Sequence, residues 1–372
     1  MRTIVTGAFL ILLVAVVWAQ SAGGGQIGEK KVEVPPTAAA IEKGARWLVS
    51  VQGADGGWGQ DGGETSYVRT GERLESSGND VANTAVATLA LLQAGKKYQP
   101  NVDRALDFIL KNVETSSADG LQITDRKGTQ IQRKLGPYID TFLTSMLLAQ
   151  VDGTLSKELN ARVRRALEKC VAKIERNQQK DGSWNVAGGW APILGTSMAS
   201  RSLFEAAQKG VKTEDIVMRR AEDYTVMALS APTGAGVAAS VGAGGFGGAA
   251  LSAAAGVPLY QKAQALEQLS RTEADRQKNA GEIKKIQAEL GDSKFVEGFG
   301  SIGGEEFFSY LNVSDGLQRG GGAQWKQWHS QIVQKILNLQ NSDGTWAGHH
   351  CITGRVAVTS AAILNLKFEH AN

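Results

Sequence analysis

The chain has 372 residues, 42% of them hydrophobic and 21% charged, a composition that excludes a disordered or fibrous protein. Its 40 basic and 37 acidic residues leave a formal charge of +3, spread along the chain. So small an excess gives no argument for nucleic acid or an anionic membrane surface as partner.

The first predicted element is a targeting segment. Arg2 supplies a short basic region, residues 7–17 an apolar stretch, and Val17-Trp18-Ala19 a small-x-small cleavage pattern. Together they predict a signal peptide over 1–19, cut after Ala19 or Ala22, and an exported protein, periplasmic or extracellular. An uncleaved anchor is the alternative, but the stretch falls short of the roughly 20 residues a span needs. Residues 20–36 read as a flexible leader ending at Pro35-Pro36.

From residue 37 to 368 the periodicity predicts one domain of helix pairs. The pairs are 37–52 with 79–95, 101–113 with 138–151, and 159–178 with 195–209. They continue as 213–230 with 244–255, 259–290 with 303–313, and 325–340 with 352–367. Ile41, Ala45, Leu48 and Val49 share one face of the first helix, and Ile332, Ile336, Leu337 and Leu339 do similarly near the end. The second member of each pair is more apolar and richer in small residues, as in 84–91, which marks a buried helix. Each hairpin therefore pairs an amphipathic outer helix with a buried inner one. Residues 231–260 carry no charge and many Gly and Ala, and read as a tightly packed inner helix with glycine loops. Residues 261–292 are dense in mixed charge and read as a long solvated outer helix inserted near 259–290, with an interaction arm as the alternative.

A seven-residue pattern, Gln-x-x-Asp-Gly-[Gly/Ser/Thr]-Trp, recurs at 52–58, 178–184 and 340–346. Each copy joins an apolar-periodic helix to a Thr/Ser/Ala-rich one, the mark of a repeat architecture. Asp-Gly is a turn signal. The Trp offers a large apolar area and an indole N–H needing a partner, and the Gln an amide that can bond a neighbouring helix end. Gln52, Asp55, Trp58, Gln178, Asp181, Trp184, Gln340, Asp343 and Trp346 thus read as structural staples between hairpins. A sugar-binding role for the three Trp residues is the alternative, and their identical place in each unit argues against it. The same repeat order separates Cys170 from Cys351, which favours two free thiols over a disulfide.

These turns in their helical context resemble the QW repeats of squalene/terpene cyclases and of protein prenyltransferase β subunits. The resemblance covers most of residues 37–368. It implies an all-α fold, an α/α toroid of about six hairpins whose inner helices form a barrel with a cavity open at one end. The enzymes of that superfamily depend on motifs this chain lacks. No Asp-x-Asp-Asp acid is present, the nearest acidic pairs being Glu305-Glu306 and Glu214-Asp215. Aromatic residues, at 6%, are thin for a cavity that steadies carbocations. Neither cysteine lies in the Gly-Cys-Gly-Glu-Gln run of complement-like toroids. The Asp-x-Cys zinc pattern of prenyltransferases is missing too, since Ala82 follows Asp80 and Phe142 follows Asp140.

In such a toroid the inner helices run the same way, so their starts line one rim. Candidate rim residues are Asp80, Asp140, Thr196, Glu305, His349, His350, Cys351 and Arg355. Asp80 and Asp140 read as N-caps. Arg355 reads as an anion ligand facing the cavity, or as the partner of one of those acids. His349-His350-Cys351 offers potential metal ligands, of which at most two would reach one ion, with Asp80 or Asp140 completing a zinc site. Otherwise the histidines bond the helix start and Cys351 is a small buried residue. No cofactor is expected, zinc being the minor alternative. The leading expectation is a non-catalytic binding or scaffold protein that holds a ligand or protein at the cavity mouth, with no stable membrane span after signal cleavage. The competing one is an enzyme acting on a terpenoid or prenyl substrate, zinc-dependent or acid–base. The segment 348–355 is where chemistry should be sought.

Overall fold

The computed structural model describes residues 36–61, 78–184, 192–230, 256–296 and 303–368. In chain order the elements are α1 (Pro36–Ser50), the short strands β1 (Trp58–Gly59) and β2 (Asn79–Asp80), α2 (Val81–Ala94), α3 (Gln99–Thr115), α4 (Gln130–Leu135), α5 (Ile139–Val151), α6 (Lys157–Arg176), α7 (Pro192–Gln208) and α8 (Asp215–Ser230). There follow α9 (Gly256–Leu269), α10 (Glu273–Lys278), α11 (Ala280–Glu289), α12 (Ser293–Val296), α13 (Gly304–Gly320), α14 (Gly322–Asn338) and α15 (Arg355–Lys367).

Helical spacing decides which face each element buries. α3 hides Val102, Ala105, Leu106, Ile109, Leu110 and Val113, a single stripe at three- and four-residue intervals. α6 does the same with Val163, Ala166, Leu167, Cys170, Val171 and Ile174. α2 instead is buried at every position from Val81 to Leu91. Its polar side chains turn back on their own helix: Thr84 donates to the Asp80 carbonyl at 2.6 Å, and Thr88 to that of Thr84 at 2.6 Å. Helices of this second kind pack in a closed ring, α2 on α5, then α7, α9, α13 and α15, and α15 back on α2. α1, α3, α6, α8, α11 and α14 lie against this ring from outside. The fold is an all-α, α/α toroid.

The fourth inner helix differs from the expectation. The segment predicted for it, 244–255, and the Gly/Ala-rich stretch from 231 to 255 lie outside the described residues, as do the signal peptide and the leader up to residue 35. The fourth place in the ring belongs to α9, taken from the stretch expected to form a solvated outer helix. Leu259, Tyr260, Ala263, Leu266 and Leu269 are buried there, and so is Glu267. The charges that suggested solvation neutralise one another inside, Arg271 meeting Glu267 at 2.7 Å. The remainder is broken rather than long. Thr272 opens α10 with a capping box, and both short helices face solvent, through Lys278 in α10 and Lys284 and Lys285 in α11. No helix among the described residues is long and apolar enough to cross a membrane. Cys170 in α6 and Cys351 before α15 are both free and buried.

The three signature turns make the same bonds. The Asp carboxylate accepts the N–H two residues on, at 3.0 Å, in Asp55, Asp181 and Asp343. The Trp indole donates to the last turn of the preceding outer helix at 2.7 Å: Trp58 to Leu48, Trp184 to Ile174, Trp346 to Ile336. The Trp backbone N–H donates to a threonine hydroxyl, from Thr84 and Thr359 at 2.9 Å and Thr196 at 3.3 Å. The Gln amide reaches the next outer helix, from Gln52 to Asn101, Gln178 to Val217, and Gln340 to Ala40. That last bond, 2.9 Å, ties the final hairpin to the first and closes the toroid. At the motif glycine, φ is near +90° and the next outer helix leaves no room. A Cβ on Gly182 would fall 2.1 Å from the Arg220 carbonyl oxygen. Trp346→Phe should keep the packing but strand the buried Ile336 carbonyl, at a cost of about 1–2 kcal/mol in urea denaturation. A loss below about 0.3 kcal/mol would show that the indole bond contributes nothing.

Candidate functional site

The starts of the inner helices do come together, in two clusters. In the first, Asp80 precedes α2 and caps it: Oδ1 accepts the Asn83 N–H at 2.8 Å and Oδ2 the Asn83 side-chain amide at 2.9 Å. Asp140 lies in the first turn of α5, yet it does not cap its own helix. Its Oδ1 accepts from Ala82 N–H in α2 at 3.0 Å, and its Oδ2 from Gln132 at 2.7 Å. One helix start thus holds two buried acids. Burial pushes Asp80 up to about 6, and burial plus the charge of Asp80 pushes Asp140 up to about 7.

The second cluster joins α9, α13 and the loop before α15. Glu305 and Glu306 in the first turn of α13, Tyr260 in α9, and His350 and Cys351 are all buried. Glu305 Oε2 accepts from the Ile352 N–H at 3.3 Å, and Cys351 Sγ lies 3.1 Å from His350 Nδ1. Burial first, then the carboxylates Glu305 and Glu306, push the Tyr260 phenol far up. Burial and Glu305 push the Cys351 thiol up as well.

His349, the other expected ligand, is only half-buried and stands apart from the Glu305–His350–Cys351 group, while burial and His350 lower its pKa. Asp80 and Asp140 do not join His350 and Cys351 either, because both are engaged at the start of α2. Glu305 takes that place. Arg355 opens α15 and faces neither rim acid. It bonds Asp343 at 2.9 Å and Asp61 at 3.0 Å, and its guanidinium lies 4.9 Å from the centre of the Trp47 ring. The arginine therefore braces the third signature turn. Thr196 holds the second signature turn through Trp184.

Sequence reasoning missed α4. Its capping box at Thr129 with Gln132 is a readable signal, but six residues are too few for a periodicity. Gln130, Ile131, Gln132 and Leu135 are buried, and the helix packs against α2, α5 and α7. Gln130 clamps the loop before α15: its Oε1 accepts from Thr353 N–H at 2.9 Å and its amide donates to the Thr353 hydroxyl at 3.1 Å. Gly195 in α7 is so close to α4 that a Cβ would fall 2.1 Å from the Leu135 carbonyl oxygen. α4 thus lies across the rim, touching the starts of four inner helices. Beside it is a cavity of about 390 Å³, lined by Asp140, Gln132, Thr141 and Tyr138 and by the cations Arg126, Lys127 and Arg133.

Residues 25–126 match the family model of the squalene-hopene cyclase C-terminal domain. Over 70 residues the chain is 39% identical to the squalene–hopene cyclase of Bradyrhizobium diazoefficiens, a stretch that is 19% of this chain and 10% of the relative. It spans about a tenth of the length of the curated relatives it matches. In structure it is similar to the apo type II terpene cyclase MstE from Scytonema, with a TM-score of 0.50 at 12% identity over 91% of this chain and 99% of the other. Against a variant of MstE in complex with its substrate geranylgeranyl dihydroxybenzoate the TM-score is 0.52 at 12% identity, over 90% and 97% of the two chains. At such identity the likeness is one of fold.

Proposed function

We propose that this chain, which belongs to the terpenoid cyclase superfamily, is an exported, non-catalytic member that binds a small acidic ligand or peptide at its rim. The observation that carries this reading is α4 across the starts of the inner helices, with the cation-lined cavity beside it. Inner helices such as α2 are buried on every face, which leaves no bare wall there for a long hydrocarbon. Asp80 and Asp140 are engaged with backbone N–H groups. Arg126, Lys127 and Arg133 then give the cavity the charge that a carboxylate or phosphate would meet.

The test is direct. Chain beginning at residue 20 is incubated with squalene and with a geranylgeranyl substrate, and the extract is examined for cyclised product. None is expected, whereas small carboxylates or phosphates should raise the melting temperature, and Arg133→Ala should weaken that shift. Turnover of either hydrocarbon overturns the reading. One observation favours a second reading, an acid catalyst of the superfamily: Asp140 is raised to about 7, so part of it carries a proton at neutral pH, and it lines the cavity. Turnover that disappears in Asp140→Asn would establish that alternative. Export is tested by N-terminal sequencing of the secreted product, which should begin at Gln20 or Gly23.

A further inference from the structure

The second rim cluster is not used by this binding reading. Glu305 is fully buried, and its Oε1 faces His350 Nδ1 at 3.7 Å. Cys351 Sγ approaches the same nitrogen at 3.1 Å. The three donor atoms all lie within 4.8 Å of one another. We propose that Glu305, His350 and Cys351 bind a single zinc ion that fastens the loop before α15 to the start of α13.

The geometry separates this from a nucleophilic Cys–His–acid relay. In a relay the thiol and the acid engage opposite ring nitrogens, so that the imidazole passes a proton between them. Here both approach Nδ1, at 3.1 and 3.7 Å. Zinc–ligand bonds of roughly 2.0–2.3 Å in a tetrahedron place neighbouring donors roughly 3.3–3.7 Å apart. The observed separations from the imidazole, 3.1 and 3.7 Å, bracket that spacing. A sulfur, nitrogen and oxygen set suits zinc and disfavours calcium or magnesium, which take oxygen ligands. A carboxylate and a thiolate also balance the two charges of the ion in a buried place, the thiol proton leaving to solvent.

Two further features serve the convergence. Adjacent side chains ordinarily diverge, which argues against His350 and Cys351 sharing an ion. Cys351 overcomes this with φ of +58°, the one positive value at a non-glycine position among the described residues. Gly303 supplies the floor. A Cβ there would fall 2.6 Å from His350 Cε1 and 2.7 Å from the Oε2 atoms of both Glu305 and Glu306. The inference is independent of any ligand in the cavity beside Asp140.

The experiment uses the mature chain purified without chelator. Elemental analysis, or zinc titration after chelator dialysis, should find about one zinc per chain, and zinc removal should lower the melting temperature. Cobalt(II) in place of zinc should give a thiolate charge-transfer band, which Cys351→Ser abolishes. Cys351→Ser and His350→Gln should each weaken zinc binding by about tenfold or more while far-ultraviolet circular dichroism stays helical. Wild-type protein that takes up no zinc, or shows no thiolate band with cobalt, overturns the proposal. So does a Cys351→Ser variant that binds zinc as wild type does. The wild-type cobalt spectrum decides the matter by itself if a variant fails to fold.

Discussion

Glu267→Gln is expected to destabilise the toroid by about 3 kcal/mol or more, read from urea denaturation at pH 7. Glu267 lies inside the ring near the end of α9, and its carboxylate is held by Arg271 at 2.7 Å and Arg319 at 3.3 Å. Around it, Arg201 bonds Glu205 at 2.7 Å, and Arg319 pairs with Asp315. Phe204 stacks under both Arg271 and Arg319, with guanidinium-to-ring distances of 5.1 and 5.7 Å. Three arginines thus meet three acids across the far ends of α7, α9 and α13, although burial raises Glu205. Removing one acid leaves a guanidinium buried without its counter-charge, which costs far more than a surface pair would return. Burial alone would raise Glu267, but Arg271, Arg319 and Arg201 outweigh it and lower it to about 2. The pH consequence follows from that direction. A carboxylate with a depressed folded pKa stabilises fully above its ordinary value, near 4.5, and loses that contribution as pH falls toward 2. The gap between wild type and Glu267→Gln should therefore close as pH drops through this window. Glu267→Met combined with Arg271→Met should be milder than Glu267→Gln, because an apolar pair needs no counter-charge. A double variant as unstable as the single one would show that the ion pair is not what matters at this place.

The legible part of this molecule is the part that repeats. Gln52, Asp55 and Trp58 have a turn chemistry that can be named from residue types alone, and two further copies fix its role. The threonine that receives the Trp backbone N–H is not part of the readable pattern, because it lies 26, 12 and 13 residues downstream of its Trp in the three copies. Charge density around α9 reads as solvation; the Glu267–Arg271 pair is local, at i and i+4, but its burial depends on Arg319 and Phe204 from other helices. The candidate site was half legible. Position at the helix starts singled out His350, Cys351 and Glu305, but the choice of His350 over His349 depends on the left-handed backbone at Cys351. No composition reveals that. The engagement of Asp140 with α2, rather than with its own α5, is likewise a tertiary fact.

Stability should fall by several kcal/mol as pH rises from about 4 to about 7, and then level off. The pair at the start of α2 acts in this sense, together with Glu175 and Glu205, which burial also raises. Asp80 and Asp140 are raised from 3.8 to about 6 and about 7, burial being the larger cause in each. An acid whose folded pKa is raised binds its proton more tightly in the folded chain. Each pH step between the two values therefore favours unfolding, the opposite sense to Glu267. The two acids interact, so the transition belongs to the pair, and its size is set by both together. His349, with a lowered pKa, acts in the opposite sense within part of this window, so the comparison must be against a variant. Asp80→Asn is the useful one. Its amide oxygen can keep the Asn83 N–H, and an Asn83 flip would turn that residue's buried Oδ1, which lacks a partner, toward the new N–H₂. The cap survives, while the charge that raises Asp140 is gone. Asp80→Asn should then be more stable than wild type at pH 8 by about 1–3 kcal/mol, equal to it near pH 4, and flatter between. Matched slopes in the two proteins would mean that Asp80 is not raised in the folded chain, because its own titration would otherwise steepen wild type even without repulsion. The charge of Asp80 would then add nothing to Asp140, whose raised value would rest on burial alone.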